Sequence, residues 1–283
     1  MSAMGADIKS LRTRIKSVDS TLHLTRAMGL VASSKIRRAT LNMNQSREYA
    51  AAVNQAVSTL LQSPECARSP YMADRTGKAE GMRTHLIVIA GDRGLAGGYN
   101  ANIFRMMRDY AGEGVTISPV GKRACDRYGE GAQSAEHFSY EQAGALAQEI
   151  CDRFAVGEYD RVGIVWTEYV SMMSQQATVS WLLPLKREQL AVSQTDGGNH
   201  AAPIFEPDEL TVLNMTVKEF VAGRIIAAVR ESFASEVAAR RCAMDSAGKN
   251  AQEMIDGLQL EYNRARQGAI TQELTEIVAG ANA

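Results

Sequence analysis

Residues 8–43 read IKSLRTRIKSVDSTLHLTRAMGLVASSKIRRATLNM, and their spacing decides the fold. In steps of three and four the stretch presents Ile8, Leu11, Ile15, Val18, Leu22, Thr25, Gly29, Ala32, Ile36, Ala39 and Met43. Such alternation keeps one stripe toward one partner, the pattern of a coiled coil. The stripe is large and apolar at its ends but small in its middle, at Thr25, Gly29 and Ala32. The stretch is also basic, with Lys9, Arg12, Arg14, Lys16, Arg26, Lys35, Arg37 and Arg38 against Asp7 and Asp19. A basic helix with one narrow apolar seam needs a partner.

The prolines point to one. All six lie between positions 64 and 207, so residues 1–63 and 208–283 have none. Proline in a helix interior costs about 3 kcal/mol, so the two proline-free ends read as long helices around a globular insert. The first runs from about Ala6 to Leu61, its stripe continuing more weakly through Ala50, Val53, Val57 and Leu60. At 1.5 Å per residue it would be about 80 Å long. The last segment reads as helical from Asp208 to Val278, with an alanine-rich face at Val229, Phe233, Val237, Met244, Ala247, Ala251, Met254, Leu258, Tyr262, Ala265 and Ala269. Small residues on both helices predict a close antiparallel pair.

The middle reads as α/β. Residues 64–83 are polar and rich in turn formers, a loop. Thr84–Ala90 is a buried strand, Gly91–Gly98 a glycine-rich turn and Tyr99–Ala111 a helix. Val115–Val120 is a second strand, Lys122–Tyr128 a short helix, Ser134–Phe138 an edge strand and Tyr140–Val156 a helix. Arg161–Tyr169 and Gln176–Leu185 form an antiparallel hairpin. Strands alternating with helices imply a mostly parallel, Rossmann-like sheet. The expected divisions are an N-terminal coiled-coil helix at 1–63, a linker at 64–83, a central α/β domain at 84–185, a connector at 186–207 with a turn at Thr195–Asn199, and a C-terminal coiled-coil helix at 208–283.

Composition narrows the function classes. With 45% hydrophobic and 22% charged residues, a packed core is feasible and the composition argues against global disorder. A net charge of -1 argues against a nucleic-acid protein, so the basic charge is local. Cys66, Cys125, Cys151 and Cys242 form no CxxC pair and read as free thiols in a reducing compartment. His23, His85, His137 and His200 are too scattered for a metal site. The longest strongly apolar run, Leu86–Ala90, is far too short to span a bilayer, and Met1–Asp7 lacks a signal core. A chain kept in the cytosol is expected.

Two motifs could carry chemistry. Gly91-Asp-Arg-Gly-Leu-Ala-Gly-Gly98 follows a strand and opens a helix, where a dinucleotide turn would sit. Its spacing is GxxGxxGG rather than GxGxxG, no GK[ST] follows, and only Arg93 could hold a phosphate. Gly91, Gly94, Gly97 and Gly98 therefore read as a structural turn. The basic helix could bind nucleic acid or an anionic membrane, but a narrow seam suits neither as well as acidic protein loops. Paired acids such as Glu273 and Glu276 have no pocket around them, so neither catalysis nor a cofactor or metal is implied.

Several stretches carry a resemblance. Ile8–Val18, Leu24-Thr-Arg-Ala-Met-Gly-Leu-Val-Ala32 and Lys35-Ile-Arg-Arg-Ala39 resemble the N-terminal signature of the gamma subunit of F-type ATP synthase, in its bacterial form. Gly91–Asn100 is similar to that family's central motif, and Ser235-Glu-Val-Ala-Ala-Arg240, Ala243-Met-Asp245 and Asn250-Ala251 to its C-terminal half. Tyr262–Gly280 resembles its C-terminal signature.

The resemblance implies a non-catalytic rotor, its coiled coil turning inside three alpha and three beta subunits. It implies an epsilon subunit and a membrane c-ring at the foot, and a peripheral place on the cytoplasmic face of the bacterial membrane. It places Met28, Arg26, Lys35 and Arg38 against beta-subunit loops. Arg266, Gln267 and Thr271 would contact a beta loop, and Phe205 and Glu206 the c-ring. Phe205 stands where the family has tyrosine, and Ala96 where many members have cysteine. The connector lacks the chloroplast cysteine pair, so thiol regulation is not implied. A cytosolic coiled-coil scaffold with an α/β ligand-binding domain is the alternative, followed by a nucleotide-dependent enzyme.

Overall fold

The computed structural model describes residues 3–75, 77, 81–110, 112–190 and 204–281. Ala111 and most of the connector, including Thr195–Asn199, lie outside them. The elements are α1 (Ala3–Leu60), β1 (Thr84–Ile89), α2 (Tyr99–Met106), β2 (Val115–Val120), α3 (Lys122–Tyr128), α4 (Tyr140–Ala155), β3 (Arg161–Tyr169), β4 (Gln175–Leu183), α5 (Arg187–Leu190) and α6 (Glu209–Ala281). The chain forms two compact units, Met1–Ser34 with Arg240–Ala283, and Lys35–Ala239. Their boundaries fall inside α1 and α6 rather than at the helix ends.

The larger unit is built on a four-stranded sheet of order β2-β1-β3-β4. β1 runs parallel to β2 and β3, and β4 closes antiparallel on β3. All six residues of β1 are buried. This explains its unbroken apolar run, because helices cover both sheet faces. Ile87 and Ile89 join a core with Ala147, Ile150 and Phe154 of α4, Leu60 of α1, and Val217 and Ile225 of α6. Leu86 and Val88 face the opposite way, onto Ile103 of α2 and Met107. Gly163 of β3 lets Trp181 cross it, since a Cβ there would stand 2.8 Å from the indole.

α6 changes character along its length. From Val221 to Ala238 nearly every residue is buried, because α1 and the sheet both contact it. Beyond Arg240 only a stripe is covered, including Met244, Ala251, Ile255 and Leu258. Ile255 takes the position expected of Met254, which is 47% exposed. The covered face steps by four and then three from Ala251, and a three-then-four reading chose the wrong residue.

Two sequence expectations are corrected. Residues 64–83 are not a plain loop: Pro64–Arg68 and Pro70–Met72 are 3₁₀ turns, and Cys66 and Tyr71 are buried in the main core. Each turn starts with Ser-Pro, and proline's fixed φ suits a first helical position. Ser69 Oγ accepts from the Tyr71 N–H at 3.3 Å and donates to Asn214 Oδ1 at 2.7 Å. Ser134–Phe138 is not a strand either. Asp92 accepts from Ser134 Oγ at 2.8 Å, Ala135 N at 2.7 Å and Glu136 N at 3.1 Å. A carboxylate that satisfies those donors removes their need for a ladder. At the ends, Tyr99–Ala111 tightens into a 3₁₀ turn at Met107–Tyr110, and the second hairpin strand ends at Leu183.

Candidate interaction surface of the paired helices

Within the smaller unit the two helix segments run antiparallel, since partners on one fall as numbers on the other rise. Leu22 packs with Ala251 and Ile255. Thr25 Oγ1 lies 3.7 Å from where a Cβ of Gly248 would stand. A Cβ at Gly29 would meet that of Met244 at 3.6 Å, and the Arg241 guanidinium reaches Ser33 Oγ. Ala32 is buried. The small middle of the stripe therefore lies at the helix–helix contact. Gly29 is not forced by sterics, because 3.6 Å is ordinary van der Waals distance. Beside it runs an open groove of about 550 Å³, flanked by Leu30, Asp245 and Lys249.

The candidate residues do not converge on one site. In the smaller unit Arg26 is exposed and donates to Gln252 Oε1 at 3.2 Å, and Met28 is half-buried at the edge of the seam. Arg266, Gln267 and Thr271 are exposed, and Thr271 Oγ1 donates to the Gln267 carbonyl at 2.9 Å. In the larger unit Arg38 is exposed, whereas the Lys35 ammonium sits 2.5 Å from Glu136 Oε1. The charge of Lys35 is thus balanced within its own chain. Phe205 packs against the main core and Glu206 beside it is exposed.

Sequence reasoning missed an apolar surface on the smaller unit. Ile270, Leu274, Ile277 and Val278 are 45%, 58%, 67% and 60% exposed. Steps of four, three and one put them on one face of α6. Leu24 and Val31, seven residues apart on α1, are similarly open. The periodicity was visible in the residues, but only the packing reveals that no other helix among the described residues covers it.

The glycine turn lies in the larger unit. A Cβ at Gly91 would come within 2.7 Å of the carboxyl carbon of Glu236, and Gly97 has φ +57°. A Cβ at Gly94 would sit 3.6 Å from Arg123 Nη2, and Gly98 precedes the first residue of α2. Buried Tyr99 bonds Ser232 Oγ at 2.7 Å, and its phenol is pushed strongly up by burial and then by Glu236. Charge at the turn is mixed, with the Asp92 and Glu236 carboxylates and the Arg123 guanidinium all beside it. Among the described residues no cluster of metal-ligand type occurs. No helix among them is long and apolar enough to cross a membrane.

Terminal helices that pair antiparallel, with an α/β domain between them and an uncovered apolar helix end, define a coiled-coil stalk protein. A family model described as ATP synthase matches residues 7–283. The chain is 36% identical to the "ATP synthase gamma chain, sodium ion specific" of Acetobacterium woodii, over 99% of both chains. It is 38% identical to the ATP synthase gamma chain of Xanthomonas campestris, over 97% of this chain and 98% of that one. The chain belongs to the ATP synthase gamma chain family. Its fold is also that of a chain in the Euglena gracilis mitochondrial ATP synthase OSCP/F1/c-ring structure, at TM-score 0.66, 19% identity and 98% and 94% coverage. A chain of the Tetrahymena thermophila central stalk/c-ring structure matches at TM-score 0.58, with 23% identity and 79% and 99% coverage.

Proposed function

We propose that this chain is the central-stalk rotor of an F-type ATP synthase, turning within a ring of three alpha and three beta subunits. The observation that carries this reading is the open apolar face at Ile270, Leu274, Ile277 and Val278, directly after exposed Arg266 and Gln267. An exposed apolar face on a helix end marks an interaction surface, and a surrounding protein sleeve is the cover this reading gives it. The work is done by asymmetry. Each beta subunit meets a different side of the shaft and is biased toward a different nucleotide affinity, a population shift driven by differential contact energy. Catalysis resides on the beta subunits, and this chain contributes no reacting group and no cofactor.

In this reading Arg26, Met28 and Arg38 face acidic beta loops, while Lys35 is held back by Glu136. Arg266, Gln267 and Thr271 mark resting angles through polar contacts to a beta loop. Phe205 anchors its loop in the core and presents Glu206 to the c-ring, with the epsilon subunit alongside. The complex places the chain peripherally, on the cytoplasmic face of a bacterial membrane. Coupled ion flow drives synthesis, and hydrolysis drives it in reverse.

Co-expression with the alpha and beta subunits tests this. The chain should copurify in a complex that hydrolyses ATP; failure to copurify overturns the rotor reading. Substituting Arg266→Ala and Gln267→Ala together removes contacts of about 1–3 kcal/mol each where charged. Coupled activity should fall by about tenfold or more. Parental activity and assembly in the double variant would remove their assigned role.

A further inference from the structure

The larger unit holds a cleft of about 350 Å³ between β4, α1 and α6, away from every residue assigned above. Phe220 and Arg224, four apart on α6, share one wall. Asn54 of α1, Ser180 of β4 and Lys186 supply the other polar groups. Among the described residues no carboxylate lines the cleft.

Arg224 is half-buried, and its only hydrogen bond among the described residues is from Nη2 to Ser180 Oγ at 3.4 Å. A guanidinium carries five N–H donors, so most of its capacity is unused. The carboxylates of Glu231 and Glu168 line the adjoining cleft together with Arg224; the Glu231 charge reaches the guanidinium, but among the described residues neither carboxylate hydrogen-bonds it. Glu231 is engaged, accepting from Arg47 Nη2 at 2.5 Å, Tyr169 N at 3.0 Å and Trp166 Nε1 at 3.2 Å. Burial pulls Arg224 below the usual guanidinium range, and the Glu231 charge only partly offsets this. A desolvated cation with spare donors is relieved by an anion that accepts two parallel bonds. Lys186 can add a second positive charge, because among the described residues its ammonium is paired with Asp74 at 3.5 Å, in a half-exposed surface pair.

From this geometry we infer that the cleft binds a small oxyanion of the phosphate class, held by Arg224 and Lys186 and bounded by Asn54 and Ser180. Arg224 forms the fork, Lys186 supplies a point charge, and the hydroxyl and amide fix orientation. The site is independent of the shaft role, since none of its residues belongs to the proposed contacts with alpha, beta or c-ring subunits.

Equilibrium dialysis of the full-length chain against radiolabelled inorganic phosphate tests it. The expected result is saturable binding approaching one phosphate per chain in the millimolar range or below, on the order of -4 kcal/mol or better. R224Q should weaken binding by at least about tenfold, and K186Q by about threefold. R230Q should bind as the parent does, because Arg230 donates to the Phe138 carbonyl at 3.1 Å and does not line the cleft. K186Q keeps the test valid if R224Q fails to fold, since Lys186 is half-exposed. No saturable binding up to about 10 mM phosphate overturns the site. So does parental affinity in K186Q and in folded R224Q.

Discussion

The same two helices are used in opposite ways in the two units. In Lys35–Ala239, the Val221–Ala238 stretch of α6 is buried almost all round between α1 and the sheet. In the other unit its covered residues thin to single positions such as Ala251, Ile255 and Leu258, and apolar side chains stand open beyond them. A helix buried on all sides derives stability from its own domain; one with a narrow seam derives it from whatever surrounds it. The larger unit is therefore built to persist alone. The smaller one is built to be completed by partners.

The sharpest way to break this contrast is to damage each core and compare. Phe154 is fully buried, stacked on Tyr71 at 6.5 Å with the Arg75 guanidinium 5.0 Å over its ring. Phe154→Ala should destabilise the larger unit by about 3–5 kcal/mol, read from its urea midpoint. Leu22→Ala, at the seam, should instead affect mainly amide exchange within the smaller unit. A large urea shift from Leu22→Ala and a small one from Phe154→Ala would reverse the picture.

Glycines give a second comparison. Gly91→Ala drives a methyl against the buried Glu236 carboxyl group and should cost about 1–3 kcal/mol by thermal or urea unfolding.

Acid should act on the larger unit. His85 lies inside it, stacked on Tyr159 at 4.6 Å with Nδ1 2.8 Å from Thr116 Oγ1, while Nε2 has no partner among the described residues. Burial, and then the Arg153 charge, lowers its pKa to about 4; Glu158 partly offsets this. The unfolded chain therefore binds the proton more readily, and stability present above about pH 6.5 is lost as pH falls toward about 4. At pH 5 the loss is about 2 kcal/mol. Urea midpoints at pH 7 and pH 5 should show it, and His85→Asn should flatten the difference. An equal pH dependence in that variant would remove His85 as its source.

The smallest expected effect is Gly29→Ala. The methyl finds room, so the helix should gain up to about 1 kcal/mol of propensity. A marked loss of stability would mean that the backbones there need glycine after all.

Much of this was legible in the residues. β2, α3 and β3 fall where periodicity and turn residues placed them, because local pattern and burial agree there. The stripe on α1 holds too, with Leu22, Thr25, Ala32, Ala39 and Met43 buried in order. Errors arose where a distant side chain intervened. Ser134–Glu136 looks extended in isolation, but Asp92, more than forty residues earlier, captures its donors. Lys35 reads as one more cation of a basic face until Glu136 is found against it. For the candidate surface, Arg266 and Gln267 could be chosen by motif, whereas the uncovered state of Ile270 and Leu274 could not.

Proline placement and seam spacing suffice to specify two long helices around an α/β insert, because helix propensity and hydrophobic period are local properties. Which faces stay open is not local. Burial depends on what the rest of the chain brings to each surface, so the exposed apolar end of α6, the paired state of Lys35 and the carboxylate-free cleft at Arg224 arise only once the fold is assembled.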